Sequence, residues 1–369
     1  MKWNIAVLPG DGVGTEVMAE GKKVLQAVSK KYGQEFQFQA GIVGGAAIDS
    51  CGVALPPDVV PMCKRSHAVL FGAVGGPKWD NPSAQVRPEQ AILGLRKGLN
   101  LYANLRPVQV YPVLANATSL KPEVIRGVDI MVVRELTGGL YFGRPQRRWT
   151  SARGRQAVDT LRYSEKEIER VLHTGFELAR MRSKKLASVD KANILESSRL
   201  WREMAAEIAT EYPDVQVEHI LVDTAAMRLV RAPTSFDVIV TENMFGDILT
   251  DEASVLGGSM GMMASASLGG SASALGPSRR RVRRLGMYEP IHGTAPDIAG
   301  QNKANPIGMI RSVALMLRYS LGLYKEADAM EAAVRSVLEA GYRTADIAGV
   351  GERSIGTREM GDRIAASLS

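Results

Sequence analysis

Short apolar runs and longer helical patterns alternate along most of the chain. The apolar runs predict strands at 4–8, 36–40, 68–74, 129–133, 186–190, 217–222 and 236–240. Apolar residues that recur every three or four positions predict helices, among them 15–31, 243–256, 307–324 and 327–340. This alternation predicts an α/β protein with a mixed sheet, which is neither all-α nor a β-sandwich. The Gly-, Ser- and Ala-rich stretch 257–276 is expected to be irregular.

The first predicted strand leads into a glycine-rich turn that contains Gly10, Gly12 and Gly14. A dinucleotide-binding fingerprint that begins at Gly10 requires glycine at position 15, where the chain has Thr15. We therefore predict a tight turn into a helix and not a standard Rossmann fold. Later strands end at polar residues that open helices, and parallel sheets bind ligands at such strand ends.

Composition narrows the class of protein. A chain of 369 residues corresponds to roughly two domains. Its 45% apolar and 23% charged residues exclude a disordered, collagenous or coiled-coil protein. It has no apolar run near the ~20 residues that span a bilayer and no signal-peptide pattern. Because Cys51 and Cys63 form neither a disulfide framework nor a zinc motif, we expect a reduced, cytoplasmic protein with no membrane partner.

The excess of positive charge is concentrated in two stretches. The formal net charge is +7, which by itself suggests a nucleic-acid partner. Five arginines lie in 144–155 and five in 276–286, with no acid in either, and these ten exceed the whole excess. Trp149 is the one aromatic residue of the two stretches, so neither is typical of a single-strand binding platform. We expect two solvated loops and no nucleic-acid partner.

Aspartates supply the first candidate chemistry. Asp247 and Asp251 are four residues apart in a predicted helix, so both carboxylates lie on one face. Asp223 follows a different predicted strand. Three carboxylates that converge from strand ends would suit a hard cation such as Mg²⁺ or Mn²⁺. For each of them, a helix cap or a solvated surface charge is the alternative.

Arginines in apolar settings supply the second candidate chemistry. Arg96, Arg106 and Arg134 each lie among Leu, Val, Ala or Met residues. A buried guanidinium needs an anionic partner, and its planar fork matches a carboxylate. A substrate with several carboxylates would satisfy all three, and internal salt bridges to Glu89 or Glu135 are the alternative.

Four longer motifs resemble those of one family. They are GGPKWD at 75–80, RELTGGLYFG at 134–143, SVDKAN at 188–193 and EPIHGTAPDIAG at 289–300. On these motifs nearly the whole chain resembles the metal-dependent β-decarboxylating dehydrogenases that act on isopropylmalate, isocitrate, homoisocitrate or tartrate. The resemblance implies an isopropylmalate/isocitrate dehydrogenase-like α/β fold with two domains around a mixed parallel and antiparallel sheet. Residues 1–101 plus 258–369 would form the cofactor-side domain, and 102–257 the domain with the dimer interface and the catalytic and metal residues.

The resemblance also implies a reaction and a set of roles. The expected reaction is the NAD-dependent oxidative decarboxylation of 3-isopropylmalate to 4-methyl-2-oxopentanoate and CO₂, a step of leucine biosynthesis. The implied roles are carboxylate binding for Arg96, Arg106 and Arg134, metal binding for Asp223, Asp247 and Asp251, and acid–base catalysis for Lys191 and Tyr141, with Asp223 also beside the substrate. Lys191 would take the proton of the substrate hydroxyl, and Tyr141 would protonate the enolate that remains when CO₂ leaves.

Cofactor and substrate preferences follow from the same resemblance. The implied cofactor-binding residues are Gly76, Glu89, His292, Gly293, Thr294, Ala295, Pro296, Asp297, Ile298 and Asn305. Asp297 would accept hydrogen bonds from the ribose hydroxyls and repel a 2′-phosphate, which favours NAD over NADP. Substrate choice would rest on Glu89, Ile92 and Leu93. The two apolar residues suit a branched alkyl group, with Ile194 as a wall from the partner subunit.

Members of the family are homodimers with shared active sites. The resemblance implies that Lys191 and Asp223 of one subunit face Tyr141, Asp247 and Asp251 of the other. The chain departs from the family pattern at four positions, Thr15, Thr224, Glu242 and Ala264, and in its long Arg-rich stretch 276–286. Glu242 is expected either to alter metal binding or to point to solvent. The alternative functions are a dehydrogenase of D-malate or tartrate, a weakly active regulatory homologue and an anion-binding protein.

Overall fold

Ten strands form one mixed sheet in the computed structural model, which describes residues 2–81, 83–270 and 284–368. The described residues form twelve strands: β1 (Lys2–Gly10), β2 (Glu35–Ala40), β3 (Ala68–Ala73), β4 (Ala103–Gln109), β5 (Asp129–Glu135), β6 (Arg147–Ser151), β7 (Gly154–Val158), β8 (Lys185–Asp190), β9 (Gln216–Leu221), β10 (Val238–Thr241), β11 (Ala264–Leu268) and β12 (Gly286–Pro290). β6 and β7 form a separate two-stranded sheet, and the other ten form the mixed sheet. Their order in the sheet is β2-β1-β3-β12-β11-β4-β5-β10-β8-β9. Neighbours are parallel except at β12–β11, β11–β4 and β4–β5, so the predicted α/β class with a mixed sheet is confirmed.

Helices cover both faces of the sheet. They are α1 (Gly14–Tyr32), α2 (Gly45–Cys51), α3 (Val59–Arg65), α4 (Glu89–Gly98), α5 (Pro122–Ile125), α6 (Glu165–Arg180), α7 (Glu196–Ala209), α8 (Val222–Arg231), α9 (Asn243–Ser254), α10 (Ile307–Tyr319), α11 (Tyr324–Glu339) and α12 (Thr357–Ser367). Successive residues of a strand point to opposite faces, so Ile5 packs in the core below α1 and α10, while Leu8 packs in the core below α3 and α4. These two cores hold the central strands between layers of helices.

The glycine-rich turn after β1 is a tight entry into α1, as predicted. Gly10 and Gly12 both have positive φ, and a Cβ on Gly12 would lie 2.3 Å from the carbonyl oxygen of Thr294. Thr15, one of the departures from the family pattern, donates a hydrogen bond from its hydroxyl to the Gly12 carbonyl. Its polar group therefore has a partner within the turn.

The expectation that 257–276 is irregular was wrong for residues 264–268. These form β11, an entirely buried strand in the middle of the sheet. Its small side chains fit beneath α10, and the hydroxyls of Ser265 and Ser267 accept hydrogen bonds from the amide of Asn104. A strand of Ala and Ser therefore stays buried because β4 supplies the polar partners that the hydroxyls need.

The first Arg-rich stretch differs from the predicted loop, and so does the described end of the second. Residues of the first form the antiparallel hairpin β6–β7, in which the guanidinium of Arg147 lies 5.1 Å from the ring centre of Trp149. Most of the second lies outside the described residues. Its Arg284 is buried and donates from Nε to the carbonyl of Gly269 at 2.7 Å, so this residue is not part of a solvated loop.

The predicted domain division has a counterpart in the sheet. Strands from 1–101 and 258–369 occupy the half from β2 to β11, and strands from 102–257 occupy the half from β4 to β9. That these halves are separate domains stays a prediction. Among the described residues, the helices are too short or too polar for any of them to cross a lipid bilayer.

Candidate active site

Two buried arginines project from neighbouring strands in the middle of the sheet. Arg134 lies near the end of β5, and its backbone pairs with that of Asn104 on β4. Arg106 lies two residues after Asn104, so its side chain leaves the sheet on the same face as that of Arg134. Both side chains are almost completely buried, as the sequence predicted for arginines in apolar settings.

Helix α9 brings two carboxylates to these arginines. Arg134 makes an ion pair with Asp247, and Arg106 lies 3.8 Å from Asp247 and 3.7 Å from Asp251. The predicted placement of both carboxylates on one helix face is therefore confirmed. Gly246 permits this approach, because a Cβ at this position would lie 2.6 Å from Cγ of Arg134.

Neutral side chains hold both guanidinium groups in place, and the sequence did not point to them. Asn243 Oδ1 accepts from Nε and NH2 of Arg134 at 3.1 and 2.8 Å. Asn104 Oδ1 accepts from Nε of Arg106 at 2.7 Å, and Thr250 accepts from its NH1. Burial, and then the charge of Arg134, lower the pKa of Arg106 to about 10. The negative charge of a carboxylate ligand would therefore stabilise the ionised form of Arg106 further.

Tyr141 contacts the ion pair of Arg134 and Asp247. Its hydroxyl donates to Oδ2 of Asp247 at 2.9 Å, and the guanidinium of Arg134 lies 5.8 Å from its ring centre. Burial, followed by the negative charge of Asp247, raises the pKa of Tyr141 above its ordinary value. The phenol therefore keeps its proton at neutral pH, as a general acid must.

Arg96 lies on α4 and makes a buried salt bridge of 2.9 Å with Glu289 of β12. This partner is neither Glu89 nor Glu135, the two that the sequence suggested. On the same helix Leu93 is exposed one turn before Arg96, whereas Ile92 packs partly against the core of α3 and α4. Leu93, more than Ile92, is available to a ligand next to the arginine.

Lys191 and Asp223 form a separate pair. Lys191 follows β8, Asp223 lies in the first turn of α8, and Nζ is 2.7 Å from Oδ1. The Lys191 ammonium holds the pKa of Asp223 below its ordinary value. In the part of the chain that the structure describes, no three His, Cys, Asp or Glu side chains form a set that could hold a metal ion. Asp223 thus does not join Asp247 and Asp251 within one chain.

The expectation that Glu242 points to solvent was wrong, whereas its effect on metal binding stays a prediction. The side chain is 5% exposed, and within the described residues no hydrogen bond joins it to Asp247 or Asp251. It caps α9 instead, because Oε1 accepts from the backbone N–H of Phe245 at 2.8 Å. Its Oε2 lies 3.2 Å from the hydroxyl of Tyr163.

A cleft of about 400 Å³ opens beside the first glycine turn. Its lining residues are Gly10, Asp11, Gly12, Ala46, Asp49, Gly75, Gly76, Pro77, Lys78, Trp79, Thr294, Pro296 and Ala299. Three of them, Gly76, Thr294 and Pro296, are among the expected cofactor-binding residues. The others were not predicted, although Gly10, Asp11 and Gly12 belong to the turn that the sequence singled out.

Asp11 fixes the shape of this cleft. Its buried carboxylate accepts hydrogen bonds from the backbone N–H groups of Gly45, Ala46 and Gly75 at 2.7, 2.8 and 3.0 Å. Across the cleft, Asp49 of α2 makes a salt bridge of 2.6 Å with Lys78. The carboxylate of Asp11 thereby joins its own turn to two other backbone segments at the floor, and the carboxylate of Asp49 holds the loop at the rim.

The remaining expected cofactor residues follow β12, except for Glu89. Gly293 and Asp297 are exposed, and His292, Ala295 and Ile298 are half-buried. Asn305 is buried, donates to Asp346 at 3.1 Å and accepts from the backbone of Ile307 at 3.0 Å. Glu89, at the start of α4, is exposed and lies near Gly75. The exposed carboxylate of Asp297 is available to a ligand.

Comparison with known proteins gives the family. The model of the family described as isocitrate/isopropylmalate dehydrogenase matches residues 4–364. A 3-isopropylmalate dehydrogenase of Dehalococcoides mccartyi is 58% identical over 99% of both chains. One of Geobacillus kaustophilus is 56% identical over 99% of this chain and 95% of the relative. The chain belongs to the isocitrate/isopropylmalate dehydrogenase family.

The solved structures agree with this assignment. An isocitrate dehydrogenase from Methylococcus capsulatus superposes with a TM-score of 0.84 at 32% identity and covers 99% of both chains. A β-decarboxylating dehydrogenase from Thermococcus kodakarensis gives a TM-score of 0.76 at 33% identity over 99% of this chain and 96% of the other. The fold is therefore the expected isopropylmalate/isocitrate dehydrogenase-like fold.

Proposed function

We propose that the chain catalyses the oxidative decarboxylation of 3-isopropylmalate to 4-methyl-2-oxopentanoate and CO₂, with NAD as the oxidant and Mg²⁺ or Mn²⁺ as the metal. The observation that carries the proposal is the buried pair Arg106 and Arg134, which a carboxylate ligand would stabilise, with the protonated phenol of Tyr141 beside them. The names of the relatives at 58% and 56% identity support the choice of substrate.

The chain's own residues divide the work of this reaction. Arg96, Arg106 and Arg134 bind and orient the two substrate carboxylates. Lys191, in its neutral form, takes the proton of the substrate hydroxyl while a hydride leaves the carbon that carries this hydroxyl. The bond to the carboxylate that becomes CO₂ then breaks, and Tyr141 delivers its proton to the enolate carbon. One carbon is oxidised, and the protons balance through these two side chains.

The residues of the site fit both the proposed divalent cation and NAD. Asp247 and Asp251 are oxygen ligands of the type that Mg²⁺ and Mn²⁺ prefer, and Asp223 would complete the set from a second subunit. When bound, the cation supplies positive charge at the substrate oxygen that loses its proton. The cleft at Gly12 and Gly76 admits a ligand close to the backbone, and NAD, when bound, accepts the hydride.

We propose a homodimer with shared active sites. Helices α8 and α9 pack side by side and leave large apolar side chains exposed, including Met227 at 56% and Ile248 at 60%. Exposed apolar residues on adjacent helices are typical of an isologous interface. The hairpin β6–β7 supports the same proposal, because an isolated two-stranded hairpin needs further pairing or packing to be stable. Asp223 and Asp247 belong to these two helices.

Measured NADH formation tests the reaction. The purified protein is supplied with NAD and Mn²⁺ and with 3-isopropylmalate, isocitrate, D-malate or tartrate in parallel. We expect the highest kcat/KM for 3-isopropylmalate, because Leu93 offers an apolar contact beside Arg96. A preference for D-malate or tartrate would contradict the assigned alkyl contact but keep the mechanism. The absence of turnover with all four would contradict the proposed function.

Subunit complementation tests the shared site. Lys191→Ala and Asp247→Asn homodimers are each expected to be inactive. A hybrid dimer of the two variants carries one intact site, so equal mixing after dissociation restores about a quarter of the wild-type activity. If each chain carries a complete site, mixing restores nothing. Ile248→Asp, with the exposed Val350→Asp as matched control, tests the interface by sedimentation, and only the former is expected to yield monomers.

A further inference from the structure

Two buried carboxylates and one tyrosine form a cluster that lies next to the supports of Arg134 and Tyr141. Glu135 follows Arg134 on β5, Glu242 caps α9, and Tyr163 precedes α6. The Tyr163 hydroxyl lies 3.2 Å from Oε2 of Glu135 and 3.2 Å from Oε2 of Glu242. It also accepts a hydrogen bond from the backbone N–H of Asn243 at 3.0 Å. We call these three side chains the acid–tyrosine cluster.

The number of protons in the cluster limits its charge. A phenol has one proton, so it can donate to one carboxylate only. If both carboxylates were ionised, the other would face the phenol oxygen at 3.2 Å without a proton between them. One additional proton completes the pattern: one carboxyl group donates to the phenol oxygen, and the phenol donates to the other. Burial raises the pKa of both Glu135 and Glu242, in agreement with this pattern.

The surrounding donors show which carboxyl group holds that proton. Glu135 accepts from the backbone and hydroxyl of Thr137 and from the backbone of Gly138, all at 2.7–2.8 Å, and Arg170 lies 3.8 Å away. These donors require an ionised carboxylate. Glu242, by contrast, accepts only backbone N–H groups at its helix cap, from Phe245 at 2.8 Å and from Met244, and has no salt-bridge partner among the described residues; its Oε2 faces the Tyr163 hydroxyl. The proton therefore resides on Glu242.

Other charges near the cluster have partners of their own. Arg134 attracts Glu242 but is held by Asn243 and Asp247. Asp190 lines the same small cavity as Tyr163 and Glu242, and Arg202 neutralises it at 2.8 Å. Neither supplies a further donor to Glu242.

The cluster is connected to Arg134 and to the turn that carries Tyr141. Asn243, whose backbone is bound by Tyr163, accepts from two nitrogens of Arg134. A Cβ on Gly139 would lie 2.5 Å from the Tyr163 hydroxyl oxygen, so the turn that carries Tyr141 rests directly on the cluster. We infer that one proton is shared between Glu242 and Tyr163, with Glu242 as its donor and Tyr163 donating in turn to the ionised Glu135, and that this cluster positions Arg134, through Asn243, for the substrate carboxylate. The positioning role rests on the proposed function, whereas the shared proton does not.

Infrared spectroscopy tests the shared proton independently of activity. The difference spectrum between wild type and Glu242→Gln at pH 7 is expected to contain the C=O band of one protonated carboxyl group, present in the wild type only. If the difference contains only the bands of an ionised carboxylate, the inference is overturned. A wild type that fails to turn over 3-isopropylmalate does not affect this measurement.

Steady-state kinetics test the positioning role. Tyr163→Phe and Glu242→Leu are expected to raise KM for 3-isopropylmalate about tenfold with a smaller change in kcat, because Arg134 binds the substrate before and during reaction. Glu242→Gln is expected to rescue KM, since its amide can donate to Tyr163 as the protonated acid does. Tyr212→Phe is the matched control, because this buried tyrosine also contacts a glutamate, Glu177, but not Asn243. Equal effects of Tyr163→Phe and Tyr212→Phe, or no rescue by the amide, would overturn the inference.

A binding measurement separates the two proposals. If the wild type binds 3-isopropylmalate but does not oxidise it, the proposed function fails, and calorimetric affinity replaces KM in the same set of variants. Melting temperatures of all variants identify any that do not fold. If Tyr163→Phe is among them, the comparison of Glu242→Gln with Glu242→Leu decides whether the cluster positions Arg134.

Discussion

Asp11→Asn is a test of how the cleft beside the first glycine turn is held together. The aspartate accepts three backbone N–H groups, two at Oδ2 and one at Oδ1, from segments that are far apart in the chain. An asparagine can keep its oxygen at the Oδ2 position, where Gly45 and Gly75 donate. Its NH₂ group then faces the N–H of Ala46, so that a donor meets a donor.

The magnitude follows from these three bonds. A hydrogen bond to a charged group contributes about 1.5–3 kcal/mol, and a neutral one about 1 kcal/mol. The substitution removes one charge-assisted bond and weakens two, so we expect a local destabilisation of about 3 kcal/mol. Because 1.4 kcal/mol is a factor of ten, the amides of Gly45, Ala46 and Gly75 should exchange about 100-fold faster.

Hydrogen–deuterium exchange by mass spectrometry measures this effect in peptides that contain the three amides. Asp237→Asn is the matched control: this buried aspartate also accepts from a backbone N–H, that of Ser183 at 2.9 Å, at the start of β10. The control should destabilise its own strand end and leave exchange at Gly45 unchanged. Exchange within threefold of wild type in Asp11→Asn would refute the assigned role of the carboxylate.

Three further outcomes are expected. Chelation with EDTA should abolish turnover and added Mn²⁺ should restore it; activity that survives complete chelation would contradict the metal site. Asp297→Ser should raise the ratio of kcat/KM for NADP to that for NAD by about tenfold, because it removes a charge that repels the 2′-phosphate, and an unchanged ratio would count against this role. Burial raises the pKa of Cys63 to about 12, so at pH 8 this thiol stays protonated. Iodoacetamide should then label the exposed Cys51 alone in the native protein and both cysteines after unfolding, as mass spectrometry would show.

Most of the sheet was predictable because its strands are continuous apolar runs. Such runs are typical of parallel strands that are buried on both faces, as β3 is. β11 was missed because its Ala and Ser residues give no apolar signal, and their burial depends on Asn104, which lies far away in the chain. The β6–β7 hairpin was missed because its side chains are mostly exposed and carry no alternation.

The charged residues of the site were predictable by type, but their partners were not. The spacing of Asp247 and Asp251 is a property of one helix, so the sequence contains it. The partner of Arg96, Glu289, comes from a strand near the other end of the chain, and pairing of that kind depends on the order of strands in the sheet. The acid–tyrosine cluster forms only where β5, the start of α6 and the start of α9 meet. For Glu242 the sequence suggested contact with solvent or an effect on the metal, whereas in the fold its side chain contacts Tyr163.

The order of strands also determines when the sheet can be completed during synthesis. β3 and β4 follow each other in the chain, yet β12 and β11 lie between them in the sheet. Until residues 264–290 have left the ribosome, β3 and β4 each present an open edge to other nascent chains. If β3 and β4 are already in place by then, folding must insert an antiparallel pair between them, and contacts of such long range are slow to form. Chaperone demand and aggregation during overexpression should therefore be set by the last third of the chain.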